Sequence, residues 1–247
     1  MIKRMLKEFM AERKTIFFYL VLMSLFMLGL SKFQLDSVKS EVCGMDAFAY
    51  ASLIMAESVF IAGSLVSISI NRNNFKQEKV VLCKNNSSIW NYSVIKTVIM
   101  SFILSIFVFA VTLIFSKVFY KDFFNWYAEE SLFHSLTGCL ADNINYNVLL
   151  CLFFCQTFFG ICVAGIVPLI SFWYFKSFFF GVLCITIVNM AGSVLRADYI
   201  CGQSIFYPYI IDETVIRIDI RNHFIYPVLV IIILITAGSL KTKRDYI

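Results

Sequence analysis

Apolar and polar residues are sorted into long blocks along this chain, with little alternation inside a block. Six apolar runs stand out, at about 15–33, 47–70, 94–119, 147–170, 177–195 and 224–240. Each is close to the ~20 residues that one helix needs to cross the hydrocarbon of a bilayer. The fourth and fifth are separated only by Ser171-Phe172-Trp173-Tyr174-Phe175-Lys176, a tight turn carrying interfacial aromatics. No period repeats along the chain, and no Pro/Gly/Ser-rich linker divides it. The pattern predicts an all-α integral membrane protein, with one transmembrane domain over 1–247 and six spans.

The polar blocks are less uniform. In residues 1–14, Ile2, Met5, Leu6, Phe9 and Met10 recur at helical spacing, with Lys3, Arg4, Lys7, Glu8 and Arg13 largely on other faces. This predicts an amphipathic helix lying along the bilayer surface. Between the second and third runs, 71–96 mixes the cations Arg72, Lys76, Lys79 and Lys84 with Glu78 and with apolar Phe75, Val80, Val81, Leu82, Ile89 and Trp90. A solvated linker has no use for those apolar residues, whereas a segment that docks on a protein or a membrane surface does. Two further blocks are long. Residues 121–146 are rich in aromatics around Trp126. In 196–223, the short apolar stretch Ile205–Ile211 contains Pro208 and suits a re-entrant or interfacial element. After it, Ile216, Ile218 and Ile220 alternate with Arg217, Asp219 and Arg221, a period of two that fits a strand or an extended segment with one charged face.

Composition agrees with a membrane protein. With 60% of residues hydrophobic and 17% aromatic, a soluble fold of 247 residues would be left with apolar surface that nothing covers. The net charge of +5 does not indicate nucleic-acid binding, because the cations flank apolar runs and form no continuous basic face. Their placement gives an orientation instead. If both termini are cytoplasmic, segments 1–14, 71–96, 171–176 and 241–247 hold 14 of the 21 Lys and Arg. The same segments hold only Glu8, Glu12, Glu78 and Asp245 of the 16 acids, as the positive-inside rule expects.

Candidate chemistry is sparse. Glu57 is the one acid deep within an apolar run, and an intramembrane carboxylate faces a bundle interior or a water-filled path. It is a candidate for a translocation path, with Ser52 on the same run and Asn189 on the fifth. The alternative is that Glu57 is a hydrogen-bonded packing residue and Asn189 interhelical glue. Ser52/Ala56, Gly63/Ser67 and Gly160/Ala164 are small-xxx-small pairs that permit close helix approach. Of the eight cysteines, Cys151, Cys155, Cys162 and Cys184 sit in apolar runs as small hydrophobes. Cys43, Cys139 and Cys201 fall near the outer face, where one pair could oxidise. No GxSxG elbow, HExxH pair or GxxxxGK[ST] loop occurs, so no catalytic residue or metal ligand is expected and ATP is not bound by a P-loop here.

Taken together, the chain resembles the membrane-spanning permease subunit of type-2 ABC exporters. In those, an interfacial amino-terminal helix precedes six spans, and the cytoplasmic loop between helices two and three docks on a separate ATPase. Glu78, Val80-Val81-Leu82, Lys84, Ser87-Ser88 and Lys96 match the family's loop pattern in order. Lys79 stands where the family usually has Gly or Thr. The resemblance implies ATPase-docking roles for Phe75, Glu78, Val81, Leu82, Lys84 and Trp90. It also implies partner ABC ATPase subunits that carry ATP and Mg, and a second permease subunit in the bilayer. By analogy the location is a bacterial inner membrane, and an antimicrobial peptide or another amphipathic molecule is the cargo. The rival readings are a non-transporting membrane protein, such as an immunity or sensory partner, and a membrane-embedded enzyme.

Overall fold

The computed structural model describes the backbone of residues 2–72, 86–137, 140, 146–195, 209–212, 215–218 and 224–244. Side chains are described in these ranges except at 2–6, 23, 27, 49–60, 136–137, 146, 188–195, 209–212, 215–218 and 243–244. The described chain is mostly helical. In order it forms α1 (Ile2–Ala11), α2 (Arg13–Asp36), α3 (Gly44–Asn71), α4 (Asn86–Phe119), α5 (Leu132–Thr137), α6 (Tyr146–Phe175), α7 (Phe179–Leu195), β1 (Tyr209–Asp212), β2 (Val215–Ile218) and α8 (Tyr226–Arg244). The strands pair antiparallel, with Tyr209 opposite Ile218 and Asp212 opposite Val215. This ribbon is a departure from the all-α expectation. The re-entrant stretch expected at Ile205–Ile211 falls partly outside the described residues.

Among the described residues, α2, α4 and α6 are long and apolar enough to cross a membrane. Two helices overrun their apolar runs. The third run was expected to open at 94, but α4 opens at Asn86. Its first turns are helical because Ile89, Trp90, Ser93, Val94 and Thr97 fall at helical spacing on the buried face. The fourth run was expected to close at 170, but α6 continues to Phe175 and takes in most of the expected turn. It ends at Lys176, which adopts left-handed backbone (φ 57°) and donates its N–H to the Phe172 carbonyl at 2.8 Å. The Phe172 and Phe178 rings stack across the turn with centroids 4.5 Å apart.

The helices bury hydroxyls alongside apolar residues and turn large apolar side chains outward, unlike those of a water-soluble bundle. On α4 the polar residues Ser93, Thr97, Ser101, Ser105, Thr112 and Ser116 are buried, while Phe102, Ile103, Ile106, Ile114 and Val118 are exposed. Four of the buried hydroxyls donate to the carbonyl one turn back, such as Ser105 to Ser101 at 2.7 Å. On α2 the exposed residues include Phe17, Phe18, Leu22, Leu25, Phe26 and Phe33. Water selects the opposite arrangement, and lipid tolerates this one. These are the helices of a membrane protein.

Helices α3 and α6 form the centre: α3 packs on α2, α4, α6 and α7, and α6 packs on α3, α4, α7 and α8. Between apolar helices in lipid, close backbone approach and interhelical hydrogen bonds do the work that hydrophobic burial does in water. The small residues at 63–67 and 160–165 meet at this contact. Gly63 lies against Ile161, and Gly165 against Ser67 and Thr97. Pro168 inside α6 lacks the N–H that would bond the Ala164 carbonyl. Ser64 Oγ of α3 donates to that carbonyl at 2.8 Å, and Ser67 Oγ donates to the Gly165 carbonyl at 2.9 Å. Gly181 of α7 seats against Pro168, where a Cβ would collide with the proline backbone. The proline is therefore a junction of three helices with its freed acceptor supplied from outside.

At one end of the bundle the α3 amino terminus is closed by the 120–137 loop. Asp46 Oδ2 accepts from Cys43 N–H at 2.8 Å, while Gly44 and Met45 donate to the Asp122 and Phe123 carbonyls at 2.8 and 2.9 Å. Trp126 Nε1 donates to Asp46 Oδ1 at 2.7 Å and stacks its ring on Phe133. Burial pushes the Asp46 carboxyl, just ahead of the 47–70 run, up to about 6, and the Cys43 thiol up to about 12. Cys43, expected near an oxidisable outer surface, is fully buried with a free thiol.

The Pro168 junction yields a cycle. Ser64→Ala is expected to lower stability by about 1 kcal/mol in the native sequence, because it strands a buried acceptor. In a Pro168→Ala background, where the backbone N–H of residue 168 takes that acceptor, the same change is expected to cost close to nothing. Thermal melting of the four purified variants in detergent measures the difference. Equal losses in both backgrounds would contradict the pairing.

Candidate functional site

The opposite end of the bundle gathers α1, the carboxyl end of α3 and the start of α4. The last two are the elements flanking residues 73–85. Lys96 of α4 is only 1% exposed, an unusual place for an ammonium unless it is paired. Its Nζ lies 2.5 Å from Glu8 Oε2 of α1 and donates to the Ile70 carbonyl of α3 at 2.5 Å. Tyr92 Oη donates to the same Glu8 oxygen at 3.3 Å. The rings of Phe9 and Tyr92 flank the ammonium at 5.9 and 6.0 Å, which adds cation–π attraction. The Ile70 carbonyl belongs to the last turn of α3, where the helix dipole and unpaired carbonyls favour a cation.

One turn further along the chain, Glu12 repeats the contact more weakly. Its carboxylate is 3.7 Å from Arg72 Nη2 and 3.4 Å from Ser69 Oγ. Arg72 is mostly exposed, so this pair adds little energy and chiefly sets position. Beneath both, Asn71 Nδ2 donates to Thr97 Oγ1 at 2.9 Å and to the Ser67 carbonyl at 3.0 Å, and Ser67 Oγ lies 3.3 Å from Thr97 Oγ1. The end of α3 is thereby fastened to α4 by the Asn71–Thr97 bond and by Lys96, which also holds Glu8 of α1, while Arg72 just past α3 meets Glu12 between α1 and α2. Both helix ends that flank residues 73–85 in sequence take part in this knot.

The expected site residues fare unequally. Phe75, Glu78, Val81, Leu82 and Lys84 lie outside the described residues. Ser52 and Glu57 stand on α3, Glu57 midway along it, and Asn189 stands on α7, but their side chains are outside the description. Trp90 is described, and it is fully buried. It packs with Ile89, Val94, Ile166, Leu169 and Trp173, and its ring fills the space over Gly238 of α8, where any Cβ would overlap it. Its indole N–H has no partner among the described residues. Trp90 therefore ties the start of α4 to α6 and α8 and presents no ring for docking.

Sequence reasoning missed the Glu8–Lys96 pair because the two residues lie 88 positions apart. One local signal was available. Glu8 and Glu12 are the sole acids in the first fourteen residues, and a spacing of four sets them on one helix face. The remaining titratable groups make no cluster: among the described residues no three of His, Cys, Asp and Glu converge as metal ligands do. His134 bonds locally to the Glu129 carbonyl.

Removing one member of a buried ion pair strands the other, at about 3–5 kcal/mol, whereas removing both is far milder. Glu8→Gln is therefore expected to lower the melting temperature strongly, and Lys96→Met in the same chain to restore most of the loss. Thermal melting of the two single variants and the double variant in detergent provides the check, and additive losses would contradict direct pairing. No family model matches this chain, nor does any curated protein or solved structure.

Proposed function

We propose that the chain is the permease subunit of an ATP-driven ABC exporter, with six spans, α1 along the inner membrane surface and both termini cytoplasmic. The observation that carries this proposal is the knot around Lys96. In sequence, the mixed cationic and apolar residues 73–85 connect two helix ends, and those ends are bolted to each other and to an amphipathic helix. A force applied to such a loop reaches α3 and α4 directly. The cation-rich segments also gather at that end: Tyr174 Oη of the α6 end reaches the Ala237 carbonyl of α8 at 3.4 Å, and Lys241 lies over the Tyr174 ring. Their common side supports a cytoplasmic assignment.

In this proposal Phe75, Glu78, Val81, Leu82 and Lys84 dock on a separate ATPase that binds ATP and Mg, since this chain carries no P-loop sequence. Closure of two such ATPases moves the loops of two permease subunits. The Pro168 junction, whose helix hydrogen bond is already missing, is where α6 bends most readily. Cargo, an antimicrobial peptide or other amphipathic molecule, passes between the subunits near Ser52, Glu57 and Asn189.

Purification from native membranes with mass spectrometry of the eluate tests the assignment. A P-loop ATPase is expected to co-purify and to be lost from Glu78→Lys. Trp90→Ala is expected to lower the melting temperature through the emptied space over Gly238, with the ATPase still bound to the folded fraction. An eluate that holds no ATPase would sink the exporter assignment and leave a non-transporting membrane protein.

A further inference from the structure

The knot sorts the charges of the amino-terminal segment in a way that composition alone does not show. The helical hydrogen-bond ladder continues across the α1–α2 junction, with Glu12 N–H donating to Glu8 and Ile16 N–H to Glu12. Residues 7–18 therefore keep one set of helical faces. Glu8, Phe9, Glu12 and Ile16 turn inward, and both acids are engaged by Lys96, Arg72, Tyr92 and Ser69. Lys7, Met10, Arg13, Lys14, Phe17 and Phe18 turn outward and are exposed. Among the described residues, none of those three cations has a carboxylate partner. With its own acids engaged inside, the outward face is basic with no compensating carboxylate among the described residues.

We propose that this outward face binds the headgroups of anionic phospholipids, held by Lys7, Arg13 and Lys14. The choice of a lipid over an acidic protein rests on what adjoins the cations. Met10, Phe17 and Phe18 are 59%, 66% and 62% exposed, and the stripe continues along α2 through Leu22, Leu25 and Phe26. Cations one to two turns from a continuous apolar face match a molecule with an anionic head and hydrocarbon tails. A soluble acidic partner would meet the cations but leave that face uncovered. The proposal needs only that the chain is embedded with its first helix at the membrane surface, and it stands if no ATPase is found.

The test is native mass spectrometry of the full chain in detergent with equimolar phosphatidylglycerol and phosphatidylcholine. Wild type is expected to retain phosphatidylglycerol preferentially, less so as salt is raised. The Lys7→Gln/Arg13→Gln/Lys14→Gln variant is expected to lose about tenfold or more of that preference, given the contribution of each cation near an anionic surface. Its melting temperature in phosphatidylcholine should match wild type, since all three residues are exposed. A Lys117→Gln/Lys121→Gln control, altered at the far end of α4, should keep the preference. Undiminished preference in the triple variant, or its loss in the control, overturns the proposal. Displacement of the lipid by millimolar inorganic phosphate or by polyglutamate, which would assign the face to a free anion or an acidic protein, also overturns it.

Discussion

A lysine ammonium taken out of water must be met on all sides, and the way Lys96 is met shapes one whole end of this protein. Its stem rises from the third turn of α4, its head reaches the Ile70 carbonyl at the end of α3, and its charge is balanced by Glu8 from a helix eighty-eight positions earlier. None of the three elements can shift alone without baring a charge or a carbonyl. Phe9 and Tyr92 keep water from the ammonium, which raises the cost of separation. One ion pair therefore does what a large apolar interface would do in a soluble protein.

The interior follows the same logic with neutral groups. Where lipid surrounds the helices, apolar residues gain little by facing one another, so specificity comes from small residues and hydroxyls. Ser64 and Ser67 meet the Ala164 and Gly165 carbonyls in the turn before Pro168, Thr97 and Asn71 extend the network toward the charged knot, and Gly165 and Gly181 let backbones close in. At the far end, Asp46 and Trp126 close the α3 amino terminus in a comparable way. The helix that is pinned at both ends, α3, is also the one that carries Glu57. A residue proposed to line a path thus sits on a helix that is anchored at both ends.

Much of this was legible in the sequence, for identifiable reasons. Blocks of hydropathy report which residues avoid water, so the long apolar helices and the amphipathic first helix could be read directly. The period of two read at 216–221 overlaps the second strand at Ile216–Ile218, and its remainder lies outside the described residues. Small-residue spacing at Gly63/Ser67 and Gly160/Ala164 marked a close contact, but could not say that the two motifs face each other. Helix ends were misjudged where polar residues continue a helix on its buried side, as at Asn86 to Ser93, because hydropathy has no direction. Trp90 and Lys96 were read as loop chemistry for the same reason. Both stand on α4 with their side chains turned inward, and a tertiary partner decides their role.

The Glu8–Lys96 pair holds α1 against the ends of α3 and α4, and amide hydrogen exchange across residues 2–16 reads that hold. In the wild-type protein these amides should exchange slowly. Lys96→Met should speed them by about tenfold or more, as loss of a 1.4 kcal/mol share of local stability does, and leave α6 protected. Unchanged protection of α1 in that variant would show that the helix is held by something else, and the account of this end of the molecule would fail.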